Sequence, residues 1–416
     1  MSGRSDIGAR AQAMIEALSG DTDEPGRLTR HYLSPAHRAA MTRVADWMRA
    51  AGLKVEEDAA ATVRGVLPGR SDRRLLIGSH VDSVIDGGRF DGPLGVIAGI
   101  LAAEQLAGRE TMLPFSVEVL AFGDEEGARF PAALTASSVV AGCFDPKSLQ
   151  STDRDGVTLS KALQDFGGDP GKLADLAYSP DQVVGYLEVH IEQGPVLEAR
   201  DRPLGVVTAI AGQARYRLQV RGEAGHAGTV PMDSRRDALA AVAEMTVAIE
   251  TEALKHAGGS LVATVGALSV SPGAANVIPG EVAFSLDVRA AKDDIRHRAI
   301  AAMEASMIAI AGRRQVLMTI ERVMEKAVAG CAPRLQAAIS KAIETTTGHT
   351  APAIMSGAGH DGHAMVRLTE IGMIFVRCRG GVSHNPAEFV SVADMGLAVD
   401  ALVQTVENVA AGEMQV

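Results

Sequence analysis

Four short apolar segments, each ending in a group of ionisable residues, most constrain how this chain can fold. They are RLLIGSH at residues 74–80, FSVEVLAFGDEE at 115–126, VVGYLEVHIEQG at 183–194 and MIFVRCRGGVSH at 373–384. Continuous apolar runs of this length are typical of strands buried on both faces of a sheet. Helix-length stretches such as 93–106 separate them, and this alternation predicts an α/β fold. Because ligands bind at the carboxyl ends of parallel strands, the sequence predicts one shared site there.

The middle of the chain follows a different order of elements. We predict a strand at 216–222, a helix at 236–255, strands at 261–271 and 281–289, a helix at 293–311 and a strand at 315–324. This βαββαβ order is typical of a compact, ferredoxin-like two-layer unit. Asp237 is predicted to cap the first helix of the unit. The predicted organisation is a discontinuous first domain, residues 1–211 and 325–416, with an inserted second domain at 212–324.

Composition argues against several classes of function. The formal charge of −11 and the pI near 5.5 leave no basic stripe to neutralise phosphates, so nucleic acid is not expected as a partner. The 3 cysteines form no CxxC pair, which predicts neither a disulfide framework nor a thiolate metal site. We find no apolar block of a signal peptide and no apolar run of the roughly 18 residues that a membrane span requires. We therefore expect a cytoplasmic protein.

Imidazole and carboxylate side chains gather at the predicted strand ends. A single histidine there is more often structural, but crowded carboxylates would repel one another unless a cation neutralised them. Imidazole and carboxylate together suit Zn²⁺, Mn²⁺, Co²⁺ or Ni²⁺, and the absence of cysteine argues against a closed structural zinc site. Five of these residues would be ligands and one carboxylate would remain. This number of ligands favours two divalent ions bridged by a carboxylate. The six residues are His80, Asp91, Glu125, Glu126, His190 and His384.

Two carboxylates suit roles other than ligation. Glu125 points to the opposite side from Glu126 in an extended segment and is our candidate general base, with a solvated acidic turn as the alternative. Asp82 faces the same side as His80 and is predicted to accept the second ring N–H of that histidine. The glycines of GSHVDSVIDGGRFDG let the chain turn sharply, which brings Asp91 back towards the ions.

Five motifs occur in order along the chain: HVDSVIDGGRFDGPLGV, GDEEGARF, EVHIEQGPVLE, GHAGTVPMDSRRDAL and GVSHNPAE. Together they resemble the amidase branch of the M20 metallopeptidase family, which contains N-carbamoyl-L-amino-acid hydrolases, allantoate amidohydrolases and ureidoglycolate amidohydrolases. The resemblance implies a mixed-sheet, di-metal catalytic domain of the exopeptidase type, with an inserted lid domain through which two chains form a homodimer. It also implies that His80, Asp91 and His190 hold one ion. Asp91, Glu126 and His384 would hold the other.

The same resemblance implies which residues bind the substrate. His226, in the inserted domain, would stabilise developing negative charge, in family members often at the active site of the other subunit. Asn276 and Arg289 resemble the residues that bind the substrate carboxylate, which a guanidinium can hold with two parallel hydrogen bonds. Gln193 can donate and accept towards a ureido group. A turn histidine at 226 and a surface charge at 289 are the alternative interpretations.

The expected substrate is a ureido compound that carries a carboxylate. Arg377-Cys378 stands where many carbamoyl-amino-acid hydrolases have a proline-serine pair, so we favour hydrolysis of allantoate to ureidoglycine or ureidoglycolate, ammonia and CO₂ in purine catabolism. N-carbamoyl-L-amino acids, then ureidoglycolate, are the alternatives. A thiol hydrolase using Cys378 with His384 is a different chemical class, and a non-catalytic binding protein is a third. His360 and His363 are further candidates for substrate contact.

Overall fold

The structure, a computed structural model, describes residues 2–256 and 261–414. Its α-helices are α1 (Ser2–Ser19), α2 (Pro35–Ala50), α3 (Pro93–Ala107), α4 (Thr135–Val140), α5 (Leu159–Phe166), α6 (Val196–Ala199), α7 (Ala238–Leu254), α8 (Asp293–Arg314), α9 (Pro333–Thr347), α10 (Gly362–Met365) and α11 (Val392–Glu413). Short 3₁₀ helices lie at Pro146–Gln150, Pro170–Leu176, Pro180–Gln182, Met232–Ser234 and Arg379–Gly381. Within the described ranges, no helix is both long and apolar enough to cross a lipid bilayer.

The β-strands alternate with these helices along the chain. They are β1 (Lys54–Glu57), β2 (Val63–Leu67), β3 (Arg74–His80), β4 (Ser116–Phe122), β5 (Val183–Ile191), β6 (Leu204–Ile210), β7 (Gly212–Arg221), β8 (Gly225–His226), β9 (Leu261–Thr264), β10 (Leu268–Ser271), β11 (Val277–Ile278), β12 (Glu281–Ala290), β13 (Leu317–Lys326), β14 (Ala329–Gly330), β15 (Ala353–Ser356) and β16 (Ile371–Val376).

The chain divides into two compact units. Unit 1 comprises Met1–Thr208, Gly330–Ile354 and Ala358–Val416. Unit 2 comprises Ala209–Ala329 together with the short segment Met355–Gly357. The boundaries predicted from the sequence are 212 and 324, and Met355–Gly357 was predicted to belong to the first domain.

The larger sheet is mixed and has 9 strands in the order β1-β2-β4-β3-β5-β16-β6-β14, with β15 paired to β6. Strands β1 to β5 and β16 lie within unit 1. β3 runs parallel to β4 and to β5, and β16 runs parallel to β5. The pairs β1–β2, β2–β4 and β16–β6 are antiparallel. All four predicted strands are therefore confirmed, as β3, β4, β5 and β16. They are neighbours, and their carboxyl ends lie at one edge of the sheet.

Helix α3 packs so closely on this sheet that it fixes the chain just beyond that edge. Its residues are apolar around almost the whole circumference because the helix contacts β3, β4 and β5 on one side and α1 and α11 on the other. A Cβ atom on Gly95 would lie 2.2 Å from the Val189 carbonyl oxygen of β5, so only glycine permits this approach. Asp91 precedes the first residue of α3, Pro93, by two positions. The helix thus holds Asp91 beside the strand ends.

Unit 2 contains an antiparallel sheet in the order β10-β12-β7-β13, and β9 also pairs with β12. Alternate residues of β12 are buried, which is the pattern of a strand with one face in a core. Helices α7 and α8 contribute the rest of this core. The predicted cap of α7 is confirmed, because the Asp237 carboxylate accepts hydrogen bonds from the N–H groups of Leu239 and Ala240 at 2.9 and 3.0 Å.

The single strand predicted at 261–271 is wrong, because the structure has two strands, β9 and β10, in this segment. Both pair with β12: Thr264 is opposite Asp287, and Leu268 is opposite Phe284. The intervening segment is one residue longer than the stretch of β12 that it faces. This is the geometry of a β-bulge, and here Ala267 N–H donates to the Ser285 hydroxyl at 3.0 Å. Alternation of side chains cannot reveal such an extra residue.

Candidate metal centre

The predicted strand ends place six ionisable side chains together in unit 1. His80 is the last residue of β3, and His190 is the second-last residue of β5. Glu125 and Glu126 follow β4 after a turn in which Asp124 has a left-handed φ of 69°. His384 lies in the segment after β16. The loop after β3 returns Asp91 to the same edge just before α3.

Asp91 lies at the centre of the group. Its Oδ1 is 3.6 Å from His80 Nε2 and 3.1 Å from His190 Nε2. Its Oδ2 is 3.3 Å from His384 Nε2, and that same nitrogen is 3.5 Å from Glu126 Oε2. The two oxygens of one carboxylate therefore face two different sets of side chains.

Asp82 connects His80 to the two glutamates. Its Oδ1 lies 3.4 Å from His80 Nδ1. The same carboxylate accepts hydrogen bonds from the backbone N–H groups of Glu125 and Glu126, at 3.1 and 3.2 Å. Burial alone would raise the pKa of Asp82, but its contacts with His80 and these two N–H groups lower it. Asp82 is thus a buried carboxylate held in its charged form.

Two polar side chains also donate to Asp91. Gln193 Nε2 and Ser383 Oγ each lie 2.7 Å from Asp91 Oδ2, and Gln193 Nε2 is 3.0 Å from Ser383 Oγ. Gln193, predicted to contact substrate, therefore contacts Asp91 in this structure. Ser383 was not predicted, although its position next to His384 is a signal that could have identified it.

The pKa values in the cluster diverge. Burial would raise the pKa of Asp91, but its contacts with His190, His384 and His80 hold the pKa well below its usual range. Burial, followed by the charges of Asp91 and Glu125, raises the pKa of Glu126 to about 8. The pKa of Glu125 is also raised, first by burial. Neighbouring carboxylates repel one another when all of them are ionised, and a nearby cation would stabilise their charged forms.

The side chains fit two divalent ions. Among the described residues, four groups of side chains offer ligand atoms that all lie within 4.8 Å of one another, and His80, Glu125 and Glu126 form one of them. Two others are His80, Asp91 and His190, and Asp91, Glu126 and His384. These are the two sets implied by the resemblance, and they share Asp91. Imidazole nitrogen with carboxylate oxygen is a donor set that Zn²⁺, Mn²⁺, Co²⁺ and Ni²⁺ accept.

The remaining group includes His190 and was not predicted as a unit. Glu188, His190 and His360 are all buried and offer ligand atoms within 4.8 Å of one another. The rings of His360 and His190 meet edge to face, with their centroids 4.3 Å apart. Burial lowers the pKa of His360 well below its usual value. His360 is therefore a neutral ring that packs against a candidate ligand. Glu188 lies two residues before His190 on the same strand face, a spacing that could have identified it.

The three predicted substrate residues of the inserted domain lie in unit 2. His226 pairs with Val277 across β8 and β11, and the N–H of Ala227 donates to the Asn276 carbonyl at 3.0 Å. His226 and Asn276 are thus neighbours, and both are exposed. Arg289, near the end of β12, donates to Asp287 Oδ1 at 2.9 Å and to the Gly357 carbonyl at 2.7 Å.

The residues behind the thiol-hydrolase alternative do not suit that chemistry. Cys378 is fully buried, and burial raises the pKa of its thiol to about 11. A nucleophilic cysteine requires a lowered pKa. Arg377, which precedes it, donates two hydrogen bonds of 3.0 Å to Asp394 of α11 and one to Asp201. Arg377 therefore links β16 to α11.

The chain is similar to proteins of known family. Residues 76–408 match the sequence model of peptidase family M20/M25/M40. The chain belongs to this family. It is 40% identical over 428 residues to allantoate deiminase from Arabidopsis thaliana, covering 96% of this chain and 82% of that protein. It is 41% identical over 404 residues to N-carbamoyl-L-amino acid amidohydrolase from Geobacillus stearothermophilus, covering 97% and 98%.

Solved structures include close matches to this fold. An amidase of the hydantoinase/carbamoylase family from Burkholderia multivorans superposes with a TM-score of 0.90 at 31% identity, covering 97% of this chain and 98% of that one. The predicted family is confirmed, and so is the predicted enzyme class, an amidohydrolase that acts on carbon–nitrogen bonds.

Proposed function

We propose that this M20-family enzyme hydrolyses the terminal C–N bond of a ureido compound that carries a carboxylate, with allantoate as its substrate. The observation that carries the proposal is the position of Asp91, whose Oδ1 faces His80 and His190 while its Oδ2 faces His384. A carboxylate in this position can bridge two divalent ions. The similarity to allantoate deiminase supports the choice of substrate.

The histidines are oriented for the task. His80 Nδ1 faces Asp82, and His190 Nδ1 lies 2.9 Å from the Ile191 carbonyl oxygen. Both rings therefore present Nε2 towards Asp91, because the partner of Nδ1 fixes the ring and its tautomer. His80, Asp91 and His190 would hold one ion, and Asp91 would share the second with Glu126 and His384. When bound, such ions polarise the scissile carbonyl and lower the pKa of water.

Glu125 would move the proton. Its carboxylate would accept a proton from the attacking water and then donate it to the departing nitrogen, which leaves as ammonia. Burial raises the pKa of Glu125, and a general acid–base works best with a pKa near the working pH. Asp82 assists by holding the Glu125 backbone N–H. The carbamate that remains loses CO₂.

The residues of unit 2 would bind the rest of the substrate. In this proposal Arg289 and Asn276 bind the substrate carboxylate, and His226 donates to the oxygen on which negative charge develops. Gln193 would turn from Asp91 towards the ureido group. Arg289→Lys keeps the charge but loses the paired hydrogen bonds, so it should raise KM more than it lowers kcat. Equal KM values for the two proteins would contradict this role.

A panel of ureides tests the proposed function. Ammonia release should be measured with allantoate, ureidoglycolate and several N-carbamoyl-L-amino acids. Glu125→Gln should lose turnover by about 10²–10⁴-fold while it retains its ions. Glu57→Gln, at a glutamate whose side chain is 42% exposed, is the matched control and should behave as wild type. Two results would contradict the proposal: a folded Glu125→Gln variant with the wild-type rate, or no ammonia release from any ureide by the wild-type enzyme.

N-carbamoyl-L-amino acids are the second candidate substrates. The similarity to the Geobacillus stearothermophilus enzyme, at 41% identity, favours them about as strongly as the similarity to allantoate deiminase, at 40%, favours allantoate. The same panel separates the two. A kcat/KM for an N-carbamoyl-L-amino acid above that for allantoate would select this candidate.

We propose further that the enzyme is a cytoplasmic homodimer that assembles through unit 2, and that unit 2 acts as a lid. Apolar side chains on its two helices are exposed: Val247 and Leu254 on α7, and Ile308 on α8. A contiguous exposed apolar patch is typical of an association surface, and in this proposal these side chains belong to one. Small-angle scattering should give the mass of a dimer. A monomer that remains fully active would exclude catalysis by His226 across subunits.

A further inference from the structure

Two loops of unit 1 carry candidate ligands and meet at one buried carboxylate. We call residues 87–91, which end in Asp91, the Asp91 loop, and residues 383–389, which include His384, the His384 loop. Glu388 of the second loop is only 4% exposed. No described contact of Glu388 is with a ligand side chain, so the proposed chemistry gives it no role.

Glu388 binds the backbone at Asp91. Its Oε1 accepts hydrogen bonds from the N–H groups of Phe90 at 2.7 Å and Asp91 at 3.1 Å. Both hydrogen bonds reach the same oxygen, so one side chain holds two consecutive peptide groups. The contact fixes the backbone from which the Asp91 side chain extends.

Gly88 leaves the space that Glu388 fills. A Cβ atom on Gly88 would lie 2.2 Å from Glu388 Cδ and 2.3 and 2.4 Å from its two oxygens. Any side chain at position 88 would therefore displace the carboxylate. The glycine of one loop and the glutamate of the other are complementary in shape.

Two hydrogen bonds within the His384 loop hold its backbone at this point. Glu388 N–H donates to the Asn385 carbonyl at 3.0 Å, and Ala387 N–H donates to Asn385 Oδ1 at 2.9 Å. Phe389 meets Phe90 of the Asp91 loop edge to face, with ring centroids 6.4 Å apart. A shift of one loop would therefore be transmitted to the other.

We propose that Glu388 is a positioning residue that couples the Asp91 loop to the His384 loop, so that Asp91 and His384 are held at the separation a shared ion requires. The inference rests on the proposed metal centre. It adds that Glu388, with Gly88, sets the affinity of the centre without touching an ion or the substrate.

Metal titration tests this role without relying on turnover. Protein stripped of metal is titrated with Co²⁺, and both the binding isotherm and the visible d–d absorption are recorded. Glu388→Ala should weaken binding by about 10–100-fold, the usual effect of losing a group that orients a ligand. Glu388→Gln should restore much of the affinity, because its amide oxygen can accept from both N–H groups.

A double-mutant cycle isolates the contact with Gly88. Gly88→Ala alone should weaken Co²⁺ binding as Glu388→Ala does, since the new methyl group displaces the carboxylate. In the Glu388→Ala background, Gly88→Ala should change the Co²⁺ affinity little, because the space beside residue 88 is then open. Additive losses would contradict the proposed complementarity.

Asp58→Ala is the matched control. Asp58 Oδ1 also accepts from two backbone N–H groups, those of Ala60 and Thr62 at 2.9 and 3.0 Å, in a turn that carries no candidate ligand. This variant should lose stability but keep its Co²⁺ affinity and spectrum. If wild-type protein binds two equivalents of Co²⁺ and Glu388→Ala binds them as tightly, the positioning role fails while the metal centre stands. If wild-type protein binds none, both fail.

Discussion

Asp82→Asn is the substitution whose effect follows most directly from the contacts in unit 1. Asp82 is 1% exposed, and its two oxygens accept from the N–H groups of Glu125 and Glu126. Asparagine has one oxygen, so one of these N–H groups would face an NH₂ group. His80 Nδ1, now 3.4 Å from Asp82 Oδ1, would also lose the negative charge that orients it.

The contacts set the expected magnitude. One buried donor without an acceptor costs about 1–3 kcal/mol of unfolding free energy. Loss of the group that orients a metal-binding histidine typically costs about 10–100-fold in metal affinity or activity. Asp82→Asn should therefore lower both the stability of the metal-stripped protein and the turnover of the metal-loaded protein.

Urea unfolding of the stripped protein, together with ammonia release by the loaded protein, measures both effects. Asp46→Asn is the control, because the Asp46 side chain is 67% exposed in a surface ion pair with Arg49. Its unfolding free energy should stay within about 0.5 kcal/mol of wild type. An Asp82→Asn variant as stable and as active as wild type would refute the argument that Asp82 orders both His80 and the glutamate turn.

Three further outcomes are expected. Burial lowers the pKa of His37 to about 3, so the folded state binds fewer protons than the unfolded state below pH 6.5. Stability is therefore lost as pH falls, on the order of 2 kcal/mol by pH 5; His37→Asn should flatten this part of a urea-unfolding profile, and an unchanged slope would contradict the assignment. Chelation should abolish ammonia release and lower the unfolding free energy by about 2.7 kcal/mol per site when ions had been present at 100 times Kd; enzyme that stays active after chelation, with no metal detected, would exclude the metal centre. Cys378→Ser should keep most of its turnover, whereas a collapse of the rate in a folded variant would favour the thiol mechanism.

The strands that carry the candidate ligands could be predicted because their signal is local. The segment RLLIGSH is apolar and short and ends in His80, and the structure has β3 at those same residues. The parallel order of β4, β3, β5 and β16 then places four strand ends at one edge. The remaining strands of the sheet lie at its sides and were not individually predicted.

The supporting residues were harder to predict because their contacts span the chain. Glu388 binds Phe90 across 298 positions, and nothing near Glu388 in the sequence marks it as buried. Asp124 was also missed: it accepts from the Thr135 hydroxyl, and burial raises its pKa well above its usual value. An acidic residue in an acidic turn is indistinguishable from a solvated one until the packing around it is known.

Anomalous diffraction from metal-loaded crystals tests the central claim most directly. Data collected on both sides of the absorption edge of the bound metal should show two peaks in unit 1, each about 2.0–2.2 Å from a different oxygen of Asp91. One peak should also contact His80 and His190, and the other should also contact Glu126 and His384. A single ion, or two ions with no common carboxylate, would contradict the account.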